Sequence, residues 1–513
     1  MNKKIIYTSV GVIIILLILI STLQKSGFSS ITSETALVKE SQIVELKNGD
    51  TYDLTTSIVK KVIAGNEVKM LAYNGSIPGP LMKVSQGSEV TINFKNETDV
   101  PSTLHSHGLR LDNAFDGVPP ETQKEVKPGE SFTYKLKFPD AGMYWYHPHV
   151  REDYAQELGL YGGYLVTPTN PNYWNTVNRE EALFIDDILM ENGEVAPFDI
   201  KKADHALMGR YGNVFLVNGS DAYTLQAKKG EVIRLYVTNT ANVRPFNFTI
   251  AGAKMKLVGG DSGAYEKEQW VDAVTISPSE RAVVEVLFGK AGTYDIQNKT
   301  PEGTNKLGAV NVSENSSDMS YASVFNSLKT HIDVVKSIDP FRSYFSKSLD
   351  KEIKLSVDLS GGMGMGGGHM MPDGSMMGGS MMHASTDGIE WNDSGMMNMD
   401  DVNWKIIDVM TGKENMDINW DFKVGEKVKI RITNDPGSPH PMQHPVHFHG
   451  QRFLVLNKNG VQQNNLVWKD TVLVPSGQYV EILLDVSNPG IWMAHCHIAE
   501  HLESGMMFNY TVK

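Results

Sequence analysis

Eleven of the chain's 15 histidines fall into four clusters. The first is His105-Ser-His107-Gly, and the second, His147-Pro-His149, ends an aromatic run. The third is His444-Pro-Val-His447-Phe-His449, with His440 just before it. The fourth is His495-Cys496-His497, followed by His501 and Met506. On a strand, His-x-His sends both imidazoles to one face, because residues i and i+2 share it. Burying such pairs costs desolvation that apolar packing does not return, so the pattern calls for partners. A thiol, two imidazoles and a distant thioether suit a trigonal copper site with a weak axial methionine, an electron-transfer geometry. Cys496, His501, Met506 and His444 would supply it. Zinc gains nothing from a methionine and seldom needs so many imidazoles. The other eight, His105, His107, His147, His149, His447, His449, His495 and His497, match a three-copper centre. Cys496, between His495 and His497, would wire the two centres, so that an electron entering at the thiolate leaves to O2 at the imidazoles.

The elements that must hold these residues repeat three times. Gly87–Asn96, Gly230–Asn239 and Gly425–Asn434 each open on glycine, close on asparagine and alternate apolar residues between. Period two marks a strand with one face on a core. A second strand follows a proline-containing turn in each copy: Phe132–Phe138, Ala282–Phe288 and Tyr479–Asp485. Each then leads to a glycine-led strand ending at His147, Gln297 or His495. Three all-β units in tandem are expected. The middle unit has Gln297 and Phe246-Asn-Phe248 where the others have histidines, so metal sites must be built by the first and third units together. The expected boundaries are 1–35 for a leading segment and spacer, 36–170, 171–313 and 348–513 for the units, and 314–347 for a polar, helical linker.

Composition limits the alternatives. Among 513 residues, 47 Lys and Arg face 60 Asp and Glu, a net charge of −13 that argues against nucleic acid as a partner. The single cysteine excludes a disulfide framework, a thiolate zinc cluster and an iron–sulfur cluster. Lys3 and Lys4 precede an apolar stretch, Ile5–Leu23, long enough at 1.5 Å per residue to span a bilayer. The lysines would stay cytoplasmic and the rest of the chain would lie outside, anchored to the membrane, or secreted if the segment is a cleaved signal peptide.

The four motifs, with their order and spacing, resemble the multicopper oxidase family of laccases and bacterial copper-efflux oxidases, as does Asn74-Gly-Ser-Ile-Pro-Gly-Pro80 in the first unit. The resemblance implies an all-β chain of three consecutive cupredoxin-like Greek-key sandwiches with four copper ions. It implies a type 1 ion on His444, Cys496, His501 and Met506, and a type 2 ion on His105 and His447. The type 3 pair would take His107, His147, His149, His449, His495 and His497. Asp116 resembles the acid beside the type 2 ion that steers protons and water; as a residue before Gly117 it also fits a turn. Bacterial members often carry a glutamate directly after the second type 1 histidine as proton donor. Leu502 stands there here, with Glu500 and Glu503 flanking it as candidates. A monomer is expected.

Residues 361–400 hold eleven methionines and eleven glycines. So much glycine cannot make a packed core, but thioethers are soft ligands that select Cu(I). Met442, two residues before His444, matches a Cu(I)-binding position of some copper-efflux oxidases, and His440 stands where those carry an acid. Oxidation of Cu(I) coupled to four-electron reduction of O2 to water is therefore the expected activity. Oxidation of phenols, aromatic amines, Mn(II) or Fe(II), or non-enzymatic copper binding at the cell surface, are the alternatives.

Overall fold

A computed structural model describes residues 35–198, 202–360, 369–370, 376–377, 387–393, 401–440 and 442–513. The apolar stretch Ile5–Leu23 and most of the methionine-rich tract lie outside the described residues. Among the described residues, no helix is long and apolar enough to cross a membrane.

Three β-sandwiches follow one another along the chain. In the first, a sheet ordered Asn66–Tyr73, Thr51–Ile63, Glu89–Glu97, Ser131–Lys137 accompanies a sheet ordered Ile43–Leu46, Leu81–Ser85, Gly162–Thr167, Gly142–His147, His105–His107. Each later sandwich pairs a six-stranded with a five-stranded sheet. All three copies of the period-two strand are present, as Glu89–Glu97, Glu231–Asn239 and Lys427–Asn434. Their buried apolar positions, among them Val90, Ile92 and Phe94 in the first and Val428, Ile430 and Ile432 in the third, enter the cores. The middle domain's last strand runs past the expected boundary at 313 to Ser316. The linker contains two short helices, Ala322–Phe325 and Ile332–Ile338, and a 3-10 turn, Asp339–Tyr344. It is docked: Val334, Ile338 and Phe341 pack with Leu454, Trp468 and Leu483 of the third domain.

The asparagine that closes each repeat is buried and has the same task three times. Its side-chain amide donates to the loop that follows and to the segment before the next turn. The acceptors are the carbonyls of Val100 and Val126 for Asn96, Arg244 and Ile276 for Asn239, and Met442 and Val474 for Asn434. Each turn places a left-handed residue third, Gly129, Ser279 or Gly477, as a type II turn requires.

The registers set the histidines face to face. His105–His107 lies at the edge of its sheet beside Gly142–His147, with His105 opposite His147. In the third domain, His444–Phe448 lies beside Gly490–Cys496, with His447 opposite His495 and Val446 opposite Cys496. In the middle domain the corresponding strands put Thr249 opposite Gln297, and no imidazole is there.

Candidate metal centre

The thiol stands at the end of strand Gly490–Cys496, and the five-residue helix Ala499–Glu503 carries His501 back over it. Cys496 Sγ lies 3.5 Å from His444 Nδ1 and 3.7 Å from His501 Nδ1, and the two nitrogens are 3.2 Å apart. His501 uses its other nitrogen, Nε2, as donor to the Leu207 carbonyl at 3.2 Å. That fixes the tautomer and leaves Nδ1 a bare lone pair facing the thiol. Met506 is fully buried in the same core, and its carbonyl accepts from the Cys496 N–H. Burial holds His444 down to about 3 and pushes the Cys496 thiol up. The imidazoles are thus neutral donors, and a thiolate here needs a cation beside it. The indole of Trp404 stacks on His501, ring centroids 4.0 Å apart, and meets His444 edge-on.

The remaining eight imidazoles, four from each outer domain, converge between those domains; His105 and His449 lie 4.2 Å apart by ring centroids. Most spend one nitrogen on a protein acceptor. Nδ1 of His105, His147, His447 and His495 faces the carbonyl of Asp116, Pro148, Asp470 and Cys496, respectively. The second nitrogen of His105, His107, His147, His149 and His447 is buried with no partner, as are both nitrogens of His497. His449 and His495 commit Nδ1 to Asp116 and the Cys496 carbonyl, so their Nε2 lone pairs point at each other across 3.0 Å. Burial, with the neighbouring imidazoles adding to it, holds His107, His147, His149, His447, His495 and His497 well below the usual histidine range. Protons therefore do not satisfy these lone pairs at neutral pH. Soft-to-borderline cations on imidazole donors do, and this donor set fits copper.

The acids occupy different places from one another. Asp116 is buried, with Oδ2 2.9 Å from His449 Nδ1 and Oδ1 3.4 Å from His105 Nδ1. Burial alone would raise its carboxyl, but the two imidazoles outweigh it and hold it well below the carboxylate range. Asp116 thus orients an imidazole from each outer domain. Glu500 is buried, accepts from Asn242 Nδ2 at 3.2 Å and is pushed up to about 8 by burial. With the exposed Glu503 it lines a small cavity, together with Asp153, His205 and Arg210. Leu502 packs against Val118 and Met493. His440 and Met442 are buried beside the thiol site. Both His440 nitrogens lack partners, and its ring lies 6.0 Å from Trp404.

Four residues at the site escape the sequence reading. Trp404 and Asp470 carry no local signal, since their roles arise from strands distant in the chain. Arg281 comes from the middle domain, which contributes no histidine to the clusters. Glu152, with Oε1 3.2 Å from His149 Nδ1 and Oε2 3.9 Å from His147 Nδ1, could have been found from its position three residues after His149.

Comparisons with known proteins match the three-sandwich architecture. Three family models, each described as multicopper oxidase, match residues 56–171, 186–321 and 388–513. The multicopper oxidase mco of Staphylococcus aureus is 26% identical over 86% of this chain and 84% of its own. Copper resistance protein A of Escherichia coli is 25% identical over 89% of this chain and 92% of its own. The solved structure of a Campylobacter jejuni multicopper oxidase, described as a metallo-oxidase, superposes with a TM-score of 0.66 at 24% identity, covering 95% of this chain and all of that one. With three sandwiches matched in order along most of its length, the chain belongs to the multicopper oxidase family and is a copper-dependent oxidoreductase.

Proposed function

We propose that the chain oxidises Cu(I) one electron at a time and passes four electrons to O2, releasing water. His444, Cys496, His501 and Met506 would hold the type 1 ion. His105 and His447 would hold the type 2 ion, and His107, His147, His149, His449, His495 and His497 the type 3 pair. When bound, copper supplies one-electron exchange at the thiolate and an electron-accepting cluster for O2. The protein supplies the path: Cys496 is peptide-bonded to His495 and His497, whose side chains reach the cluster. Asp116, between His105 and His449, and Glu500 and Glu503, on the helix above, are the acids offered for proton handling.

The observation that carries the substrate reading is His440. It is 2% exposed with both nitrogens unpartnered, and Met442, fully buried, follows two residues on. A neutral imidazole and a thioether select a soft monovalent ion. Trp404 lies between the His440 ring and the His501 ring it stacks on. His444, His501 and Trp404 are no more than 1% exposed, which suits a small ion delivered through side chains better than a bulky phenol laid against a ligand edge. The relative named for copper resistance supports the same reading. Steady-state kinetics decide it: His440→Ala and Met442→Leu should lower kcat/KM for Cu(I) and leave a phenol's unchanged. If Cu(I) turnover is unaffected by both, the laccase reading takes its place.

We further propose that Ile5–Leu23 anchors the chain outside the cytoplasmic membrane, that the methionine-rich tract gathers Cu(I), and that the protein is a monomer. The length and composition of those segments support the first two. Membrane fractionation with and without residues 1–35, Cu(I) titration of a tract deletion, and light scattering test them in turn.

A further inference from the structure

The middle domain offers no ligand, yet one of its side chains reaches the cluster. Arg281, buried at the start of strand Arg281–Phe288, forks onto Asp470 of the third domain, Nη1 to Oδ1 at 2.7 Å and Nη2 to Oδ2 at 2.5 Å. Its Nε donates to the Met143 carbonyl of the first domain at 3.0 Å. Asp470 in turn touches a histidine from each outer domain. Its Oδ1 lies 3.0 Å from His107 Nε2, as does Thr471 Oγ1, which itself donates to Oδ1, and its backbone carbonyl accepts from His447 Nδ1 at 2.8 Å. The consequence appears at His107. His105, His147 and His447 turn Nδ1 to a protein acceptor and leave Nε2 bare, whereas His107 leaves Nδ1 bare. The backbone makes room for this arrangement. Gly108, left-handed at φ +81°, would with any side chain place a Cβ 2.3 Å from Asp470 Oδ2 and 2.9 Å from Arg281 Nη2.

We infer that Arg281 is a positioning residue for the copper cluster: by locking Asp470 it makes His107 present Nδ1, and so makes the ligand-free domain necessary to a centre built by the other two. The inference rests on His107 being a cluster ligand, as proposed above. Guanidinium suits the task because its planar fork fixes a carboxylate's orientation as well as its charge. Groups that orient metal-bound imidazoles typically matter about 10–100-fold in metal affinity.

The test loads full-length protein with copper, challenges it with a chelator, and reads copper per chain and the EPR spectrum of the imidazole-bound ions. The variants are Arg281→Met, Arg281→Lys, Asp470→Asn and, as reference, His107→Ala. The blue thiolate absorption reports correct folding, and the near-isosteric Asp470→Asn decides where Arg281→Met does not fold. Arg281→Met and Asp470→Asn should lose cluster copper about 10–100-fold more readily than the parent, with an altered EPR pattern and the blue band kept. Arg281→Lys, which restores charge without the fork, should recover only part. If both variants keep cluster copper and its spectrum while His107→Ala loses them, Arg281 merely joins the domains and the inference is overturned. If His107→Ala also keeps them, the ligand assignment beneath it fails instead.

Discussion

Replacing Asn434 by alanine would remove a 1% exposed amide that donates to the Met442 carbonyl at 2.6 Å and the Val474 carbonyl at 3.1 Å. Each buried carbonyl left without its donor costs about 1–3 kcal/mol, so the pair should cost about 2–4 kcal/mol after partial rearrangement. For a domain of this size each kcal/mol moves the midpoint by about 2–4 °C, so the third domain's calorimetric Tm should fall by roughly 4–16 °C. Asn239→Ala is the matched control. Its amide makes two equivalent bonds, both 2.8 Å, in the middle domain. It should destabilise to a similar extent. Only Asn434 anchors Met442, however, so only Asn434→Ala should also lower kcat/KM for Cu(I). The drop should be about tenfold or more, since misplacing a contacting group by about 1 Å can cost 100-fold. An unchanged Tm would refute the bonding argument, and an equal Cu(I) defect in Asn239→Ala would refute the link from the asparagine to the substrate site.

Cys496→Ser should abolish the blue absorption and turnover while the cluster still takes up copper, read by metal analysis; turnover with any one-electron donor would remove Cys496 from the electron path. His149→Ala should keep the blue band and stop O2 uptake, measured with an oxygen electrode. Arg244→Ala should cost about 3–5 kcal/mol, because it strands Asp187, the buried partner 2.5 Å from Arg244 Nε. The same guanidinium holds the Trp391 carbonyl, so limited proteolysis near Trp391 should quicken in that variant.

Much of this architecture is legible in the sequence because strands advertise one face at period two and because His-x-His is a short-range pattern. The third copy of the strand after the turn, Tyr479–Asp485, has the expected bounds, whereas the first begins one residue earlier than its apolar pattern, at Ser131. That edge is set by pairing with Lys95 rather than by burial. The clustered histidines could be named, but not which nitrogen each leaves free, since a tautomer depends on acceptors from other strands, such as the Leu207 carbonyl on His501. Asp116 was readable as an acid near the first motif; that its two oxygens serve a histidine from each outer domain was not. Trp404, stacked on His501, sits in a strand whose apolar alternation looks like ordinary core. Its indole N–H reaches the Ala206 carbonyl, far away in the chain.

The register that sets His447 against His495, and the packing of His105 on His449, also impose an order on biosynthesis. A ribosome completes the first domain's four imidazoles long before it reaches strand Gly490–Cys496, and domains fold as they emerge. A chain that ends before the third domain therefore carries four of the eight imidazoles, and one that ends before Gly490 carries six and no thiol. A product that ends before strand Gly490–Cys496 lacks the thiol through which electrons would enter, so it should take no electrons from a donor by that route.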